Sequence, residues 1–180
     1  MSWRWCCCII TFAASSLSAQ LFQSSEAARL AVSTDKRAYR VGEKIVATYR
    51  LQNVGNGKLF VPVRFSSDCP PKVRLITDLQ DNSGKAVAGG LIGDCSPHHF
   101  VSILEKIQAD SKLLSPGQQY APEETFDTRG LEPGLYKVTA RLTAWEKTDF
   151  TEADREELRQ LGEPILGGTL NASVTVRLTR

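Results

Sequence analysis

Lys44-Ile45-Val46-Ala47-Thr48-Tyr49-Arg50-Leu51 decides the fold. Ile45, Ala47, Tyr49 and Leu51 fall on one side of an extended chain, and Val46, Thr48 and Arg50 on the other. A strict period of two means one buried face and one wet face, the pattern of an antiparallel sheet. Moving outward, the same period recurs at Leu59, Val61, Val63 and Phe65, and again at Tyr136, Val138, Ala140, Leu142 and Ala144. In the latter, Lys137, Thr139, Arg141 and Thr143 form the opposing wet set. Leu170, Ala172, Val174, Val176 and Leu178 close the series. Shorter strands are expected over 29–33, 73–79, 101–107 and 120–126. Turn chemistry separates them at Val54-Gly55-Asn56-Gly57, Asp81-Asn82-Ser83-Gly84, Ser115-Pro116-Gly117 and Glu132-Pro133-Gly134. Gly89-Gly90 reads as another turn. Pro62 lies on the outward set of its strand, which predicts an edge or a bulge. Seven or eight short strands with turns between them make an all-β fold, an antiparallel β-sandwich.

One segment departs from this pattern. Thr151-Glu152-Ala153-Asp154 has the form of a capping box, with acidic residues in the first turn, where the helix dipole favours them. Gly162 can end the helix and Pro164 prevents its continuation. A short helical insert is therefore expected at about 151–162, its charged run forming a solvated face.

The 180 residues are 42% hydrophobic and 23% charged, with a net charge of +2. That excludes a disordered tail and a multi-span membrane protein, and gives no electrostatic reason to expect a nucleic-acid partner. Met1 to Arg4 carries one positive side chain, 5–14 (WCCCIITFAA) is apolar, and 15–19 is small and weakly polar. These are the three regions of a secretory signal peptide, 1–19, with cleavage expected after Ala19. Ten apolar residues rise only about 15 Å as a helix against a hydrocarbon core of about 30 Å, so no membrane span is expected after cleavage. The expected product is secreted or periplasmic, with a linker at 20–27 and one domain over 28–180.

Removing 1–19 takes away three of the five cysteines and the single methionine. Cys69 and Cys95 remain, and in an exported chain two cysteines most simply form one disulfide. Closing that loop is worth about 3–4 kcal/mol in the chain-entropy description.

Two motifs carry a family resemblance. Lys36, Tyr39, Gly42 and Glu43 form K-x-x-Y-x-x-G-E ahead of the first strong strand. Leu131, Pro133, Gly134 and Tyr136 form L-x-P-G-x-Y ahead of the strongest. Over 28–144, closed by 171–178, the chain resembles bacterial immunoglobulin-like domains. It is similar to the BsuPI-type proteinase-inhibitor domain and, in the first motif, to macroglobulin-type domains. The resemblance implies an immunoglobulin-like sandwich. Gly42 would supply a positive φ entering a strand, and Tyr136 would bury its ring and aim its hydroxyl at upstream backbone, as in a tyrosine corner.

Candidate chemistry is sparse. The only histidines, His98 and His99, follow Asp94 and Cys95 in one loop. Adjacent side chains on an extended chain diverge, so the pair is a poor grip on one ion. Asp68 would approach Asp94 if the cysteines are bonded, making Asp68, Asp94, His98 and His99 a candidate binding loop. A blue-copper site needs a free Cys and usually a Met. No G-x-S-x-G elbow and no phosphate-cradling G-x-x-x-x-G-K-[ST] loop exists. The expectation is no catalytic residue, no metal and no cofactor. The sequence points to an exported, non-catalytic binding or accessory module whose partner is another envelope or extracellular protein. The alternative is a proteinase inhibitor of the BsuPI-like type.

Overall fold

The computed structural model describes residues 20–64, 73–92 and 102–180. In chain order the first strands are β1 (Phe22–Gln23), β2 (Ala28–Thr34), β3 (Ala38–Arg40), β4 (Lys44–Asn53) and β5 (Leu59–Pro62). The hairpin β6 (Arg74–Gln80) and β7 (Ala86–Ile92) follows, then α1 (Ile103–Asp110). Next come β8 (Ser111–Leu114), β9 (Gln119–Tyr120), β10 (Glu123–Asp127) and β11 (Gly134–Thr143). The chain closes with α2 (Glu152–Leu158), β12 (Ile165–Leu166) and β13 (Thr169–Thr179).

Two sheets make the sandwich. β4 is the centre of one, with β2 on one side and β10 on the other. β9 continues the β10 side at Tyr120 opposite Leu51, so the strand expected over 120–126 is split. The split falls at Pro122, which cannot donate to a ladder. The second sheet runs β3-β13-β11-β6-β7. Its longest ladder pairs Gly134 with Leu178 and Thr143 with Thr169. β3 joins β13 in parallel, while the other ladders of this sheet are antiparallel. The chain thus crosses from β2 in one sheet to β3 in the other. This strand order is that of an immunoglobulin-like sandwich. Ile45, Ala47, Tyr49 and Leu51 from β4 meet Leu75, Leu79, Val138, Ala140 and Leu142 in the core, all of them buried.

A third, smaller sheet, β1-β12-β5-β8, stands outside these two. It has no long alternation because its strands span only two to four residues. Residues 20–27, read as a linker, contribute β1, which pairs in parallel with β12, and Ala27, which is buried. Pro62 does not point outward as its parity suggested: it ends β5 buried, opposite Ser111.

Two further expectations are corrected. The stretch expected as a strand over 101–107 contains α1 instead. Ser102 caps this helix, its side chain accepting from the Glu105 amide at 3.2 Å, and Lys106 pairs with Asp110 one turn on. Ile103 and Ile107 then share a face, and Ile107 is wholly buried. Gly89-Gly90 is not a turn but lies inside β7, opposite Asp78 and Thr77. Gly89 takes φ +120, and a Cβ there would stand 2.3 Å from the Thr77 carbonyl oxygen. Only glycine lets the two backbones meet this closely.

Candidate functional site

The candidate loop residues Asp68, Cys69, Asp94, Cys95, His98 and His99 lie outside the described residues. Their anchors are described. Leu75 pairs with Ile92, so 65–72 enters and 93–101 leaves the β6–β7 ladder at the same end. Just before 65–72, the amides of Val63 and Arg64 both donate to the carbonyl of Asp110, at 2.9 and 3.1 Å. Just after 93–101, Ser102 caps α1. The two segments are therefore tied to opposite ends of one helix, an eight-residue helix about 12 Å long.

That helix packs against α2. The Leu104 amide donates to Glu157 Oε1 of α2 at 3.2 Å. The capping box of α2 is closed in both directions: the Asp154 amide donates to Thr151 Oγ1 at 3.2 Å, and the Thr151 amide to Asp154 Oδ2 at 2.8 Å. After Leu158 the helix tightens into a 3-10 turn over Arg159–Leu161, and Gly162 stops it at φ +71. Arg155 bonds Glu152 and donates to the Phe150 carbonyl at 3.0 Å. Beneath, Trp145, Phe150, Leu158, Ile165 and Leu166 are buried, and Phe22 packs on Phe150 with ring centroids 5.4 Å apart. Trp145, only 1% exposed, is a core residue and offers no stacking surface.

The motif residues act as braces away from this end. Tyr39 is buried, and its hydroxyl donates to Asp35 Oδ1 at 2.6 Å while accepting from the Lys36 amide at 3.0 Å. The Tyr39 hydrogen bond holds the Asp35 carboxyl below its usual range, and burial raises the Tyr39 phenol. Gly42 has φ +93, and its amide donates to Thr128 Oγ1 at 2.8 Å. Thr128, itself buried, donates onward to the Glu43 carbonyl at 2.6 Å. Pro133 precedes β11 and Gly134 opens it. Tyr136 donates its hydroxyl to the Glu132 carbonyl at 2.8 Å, the geometry of a tyrosine corner.

Sequence reasoning missed two polar groups in the core. Asn53 follows Leu51 on the inward parity of β4 and is fully buried. Its Nδ2 donates to the carbonyls of Gly57 (2.8 Å) and Leu114 (2.9 Å), and its Oδ1 accepts from the Gly55 amide at 2.9 Å. Glu124 of β10 points between the sheets, where Tyr49 Oη donates to it at 3.2 Å and Thr77 Oγ1 bonds it too. Burial, then the Glu124 charge, pushes the Tyr49 phenol far above its ordinary range. Parity along β4, β6 and β10 was the available signal in each case. Both clusters are internally satisfied and serve packing. Among the described residues no group of three or more His, Cys, Asp or Glu is placed to hold a metal ion. Among them, too, no helix is long and apolar enough to cross a membrane.

The sequence matches no family model and no curated protein. Several solved structures are similar to the chain at TM-scores of 0.40–0.41. The CARDB domain of a Pyrococcus furiosus protein, solved in complex with di-metal ions, is 9% identical, with 84% of this chain and 87% of that chain covered and a TM-score of 0.40. The sporulation control protein Spo0M of Bacillus subtilis is 13% identical, with 84% of this chain and 48% of that one covered and a TM-score of 0.41. The alkylpurine DNA glycosylase AlkC of Pseudomonas fluorescens is 12% identical, covering 86% and 31%, with a TM-score of 0.40. The chain thus spans less than half of the last two. The sandwich is immunoglobulin-like by its own strand order and registers.

Proposed function

We propose that the chain is exported, loses residues 1–19, and works as a non-catalytic binding or accessory module for another envelope or extracellular protein. One observation carries the reading: the described flanks at Val73, which follows 65–72, and Ile92, which precedes 93–101, lie at one end of the β6–β7 ladder. Sandwich domains commonly place variable, ligand-binding segments at one end of a rigid scaffold. A Cys69–Cys95 disulfide would join the two segments and cut the ordering cost of binding. Asp68, Asp94, His98 and His99 would then be contact residues.

The test uses the full chain with a C-terminal tag, produced in its own cells, crosslinked, captured and identified by mass spectrometry. Gln20 as the new N-terminus together with a specific envelope or extracellular partner supports the reading. Capture of nothing specific overturns it. A Cys69–Cys95 link would also suit a proteinase inhibitor, which presents a rigid loop to a protease cleft. Under that second reading the captured partner is a protease, inhibited tightly at one-to-one stoichiometry.

A further inference from the structure

We infer a covalent self-modification site in the 54–57 turn: Asn56 deamidates through attack by the Gly57 amide, giving aspartate or isoaspartate at 56. Asparagine is a thermolabile residue. The nitrogen that attacks it is the amide of the next residue, so the fate of each asparagine depends on how that amide is held.

The chain has four asparagines, and all of them are described. Asn53 is fully buried with both ends of its side chain bonded, and the Val54 amide after it donates to the Ala27 carbonyl at 2.9 Å. After Asn82, the Ser83 amide donates to Asp81 Oδ1 at 2.8 Å. Asn171 and Ala172 are held extended inside β13, opposite Arg141 and Ala140. Asn56 differs from all three. Asn56 and Gly57 are both exposed and lie outside any strand or helix. Among the described residues the Gly57 amide donates no hydrogen bond. Gly57 has no side chain, and beyond its chain neighbours no atom lies within 4 Å of where a Cβ would stand.

The turn is gripped on both sides of this pair. The Gly55 amide donates to Asn53 Oδ1 at 2.9 Å and to the Ala27 carbonyl at 3.2 Å, and the Gly57 carbonyl accepts from Asn53 Nδ2 at 2.8 Å. The reacting groups are thus adjacent in one short, solvated segment, and an intramolecular attack gains from that proximity. Hydroxide takes the Gly57 amide proton, and the nitrogen attacks Asn56 Cγ. The N–Cγ bond forms, the Cγ–Nδ2 bond breaks, and Nδ2 takes a proton from water and leaves as ammonia. Water then opens the five-membered succinimide at either carbonyl. One opening gives aspartate. The other gives isoaspartate, in which the main chain runs through the former side chain. Nothing is oxidised or reduced. Either product adds a carboxylate next to Lys58 and lowers the net charge of the chain by one.

The test ages the purified full chain in mildly acidic and mildly alkaline buffer. It is read by isoelectric focusing, by peptide mapping with mass spectrometry, and by methyl transfer from S-adenosylmethionine with an isoaspartyl methyltransferase. The expected result is a new form, more acidic by one charge and mapped to 56, that builds up faster in alkaline buffer and accepts methyl groups. Gly57→Ala should keep the circular dichroism, since neither a positive φ nor a close atom opposes a Cβ there. That Cβ hinders the attacking amide, so deamidation at 56 should fall to the level found at Asn82 and Asn171. Asn56→Gln should lose the acidic form as well. No acidic form at 56, no acceleration in alkaline buffer, no methyl acceptance, equal deamidation at Asn82 or Asn171, or an undiminished rate in Gly57→Ala overturns the inference. None of these results touches the protein-partner reading, which fails only if crosslinking captures no specific partner.

Discussion

Replacing Asn53 by Ala should cost far more stability than a polar residue beside a turn suggests. The side chain is fully buried and makes three hydrogen bonds, at 2.8, 2.9 and 2.9 Å, that join the 54–57 turn to β8. Each neutral bond is worth about 1 kcal/mol net, and truncation strands the partners left behind. Three such losses give about 3 kcal/mol. In a chain of this size that lowers Tm by about 6–12 °C. Urea unfolding of wild type and Asn53→Ala by linear extrapolation, checked by scanning calorimetry, measures it. The m-value should not change, since the same surface is exposed on unfolding. Asn53→Asp should cost at least as much near neutral pH, because a carboxylate cannot donate to the two carbonyls. A loss under about 1 kcal/mol for Asn53→Ala at unchanged m would show that these bonds do not brace the turn, and would refute the reasoning.

Other outcomes follow from the same structure. Gly89→Ala should cost about 2–4 kcal/mol, since φ +120 and a contact of 2.3 Å to Thr77 oppose any Cβ. Gly42→Ala, strained by φ +93 but with nothing within 4 Å, should cost less, and equal losses in the two unfolding curves would contradict the close-approach account. The Tyr49 phenol is raised by burial and by Glu124, so its contribution is intact below 10.0, the ordinary tyrosine value, and is lost as pH rises above it. Tyr49→Phe should flatten that alkaline decline in urea titrations at successive pH values. Asp35 is lowered by the Tyr39 hydroxyl, so its contribution is intact above 3.8 and is lost as pH falls below it. Asp35→Asn should remove part of the acid-side slope, and an unaltered slope would contradict the Asp35–Tyr39 brace.

The long strands were legible because β4, β11 and β13 each bury one face and wet the other over ten or more residues. The period of two is unambiguous at that length. α1 was not, because Val101, Ile103 and Ile107 fit a period of two as well as a helical spacing of four. The Ser102-x-x-Glu105 cap was the competing signal, and it won. β7 was hidden by Gly89-Gly90, whose role is close backbone approach rather than a turn. The small third sheet had no periodic signature, since strands of two to four residues make no alternation to read. Asn53 continues the inward parity of β4 beyond Leu51, and that parity is the signal that places it in the core.

The most direct test of the binding-module account is site-specific photo-crosslinking in the protein's own cells. A photoreactive residue is placed at Arg64 or Ser102, flanking the two segments, or at Thr125 on the outer face of β10. The account predicts one and the same protein adduct from Arg64 and Ser102, and none from Thr125. No adduct from the flanking positions, or equal adducts from all three, would contradict it.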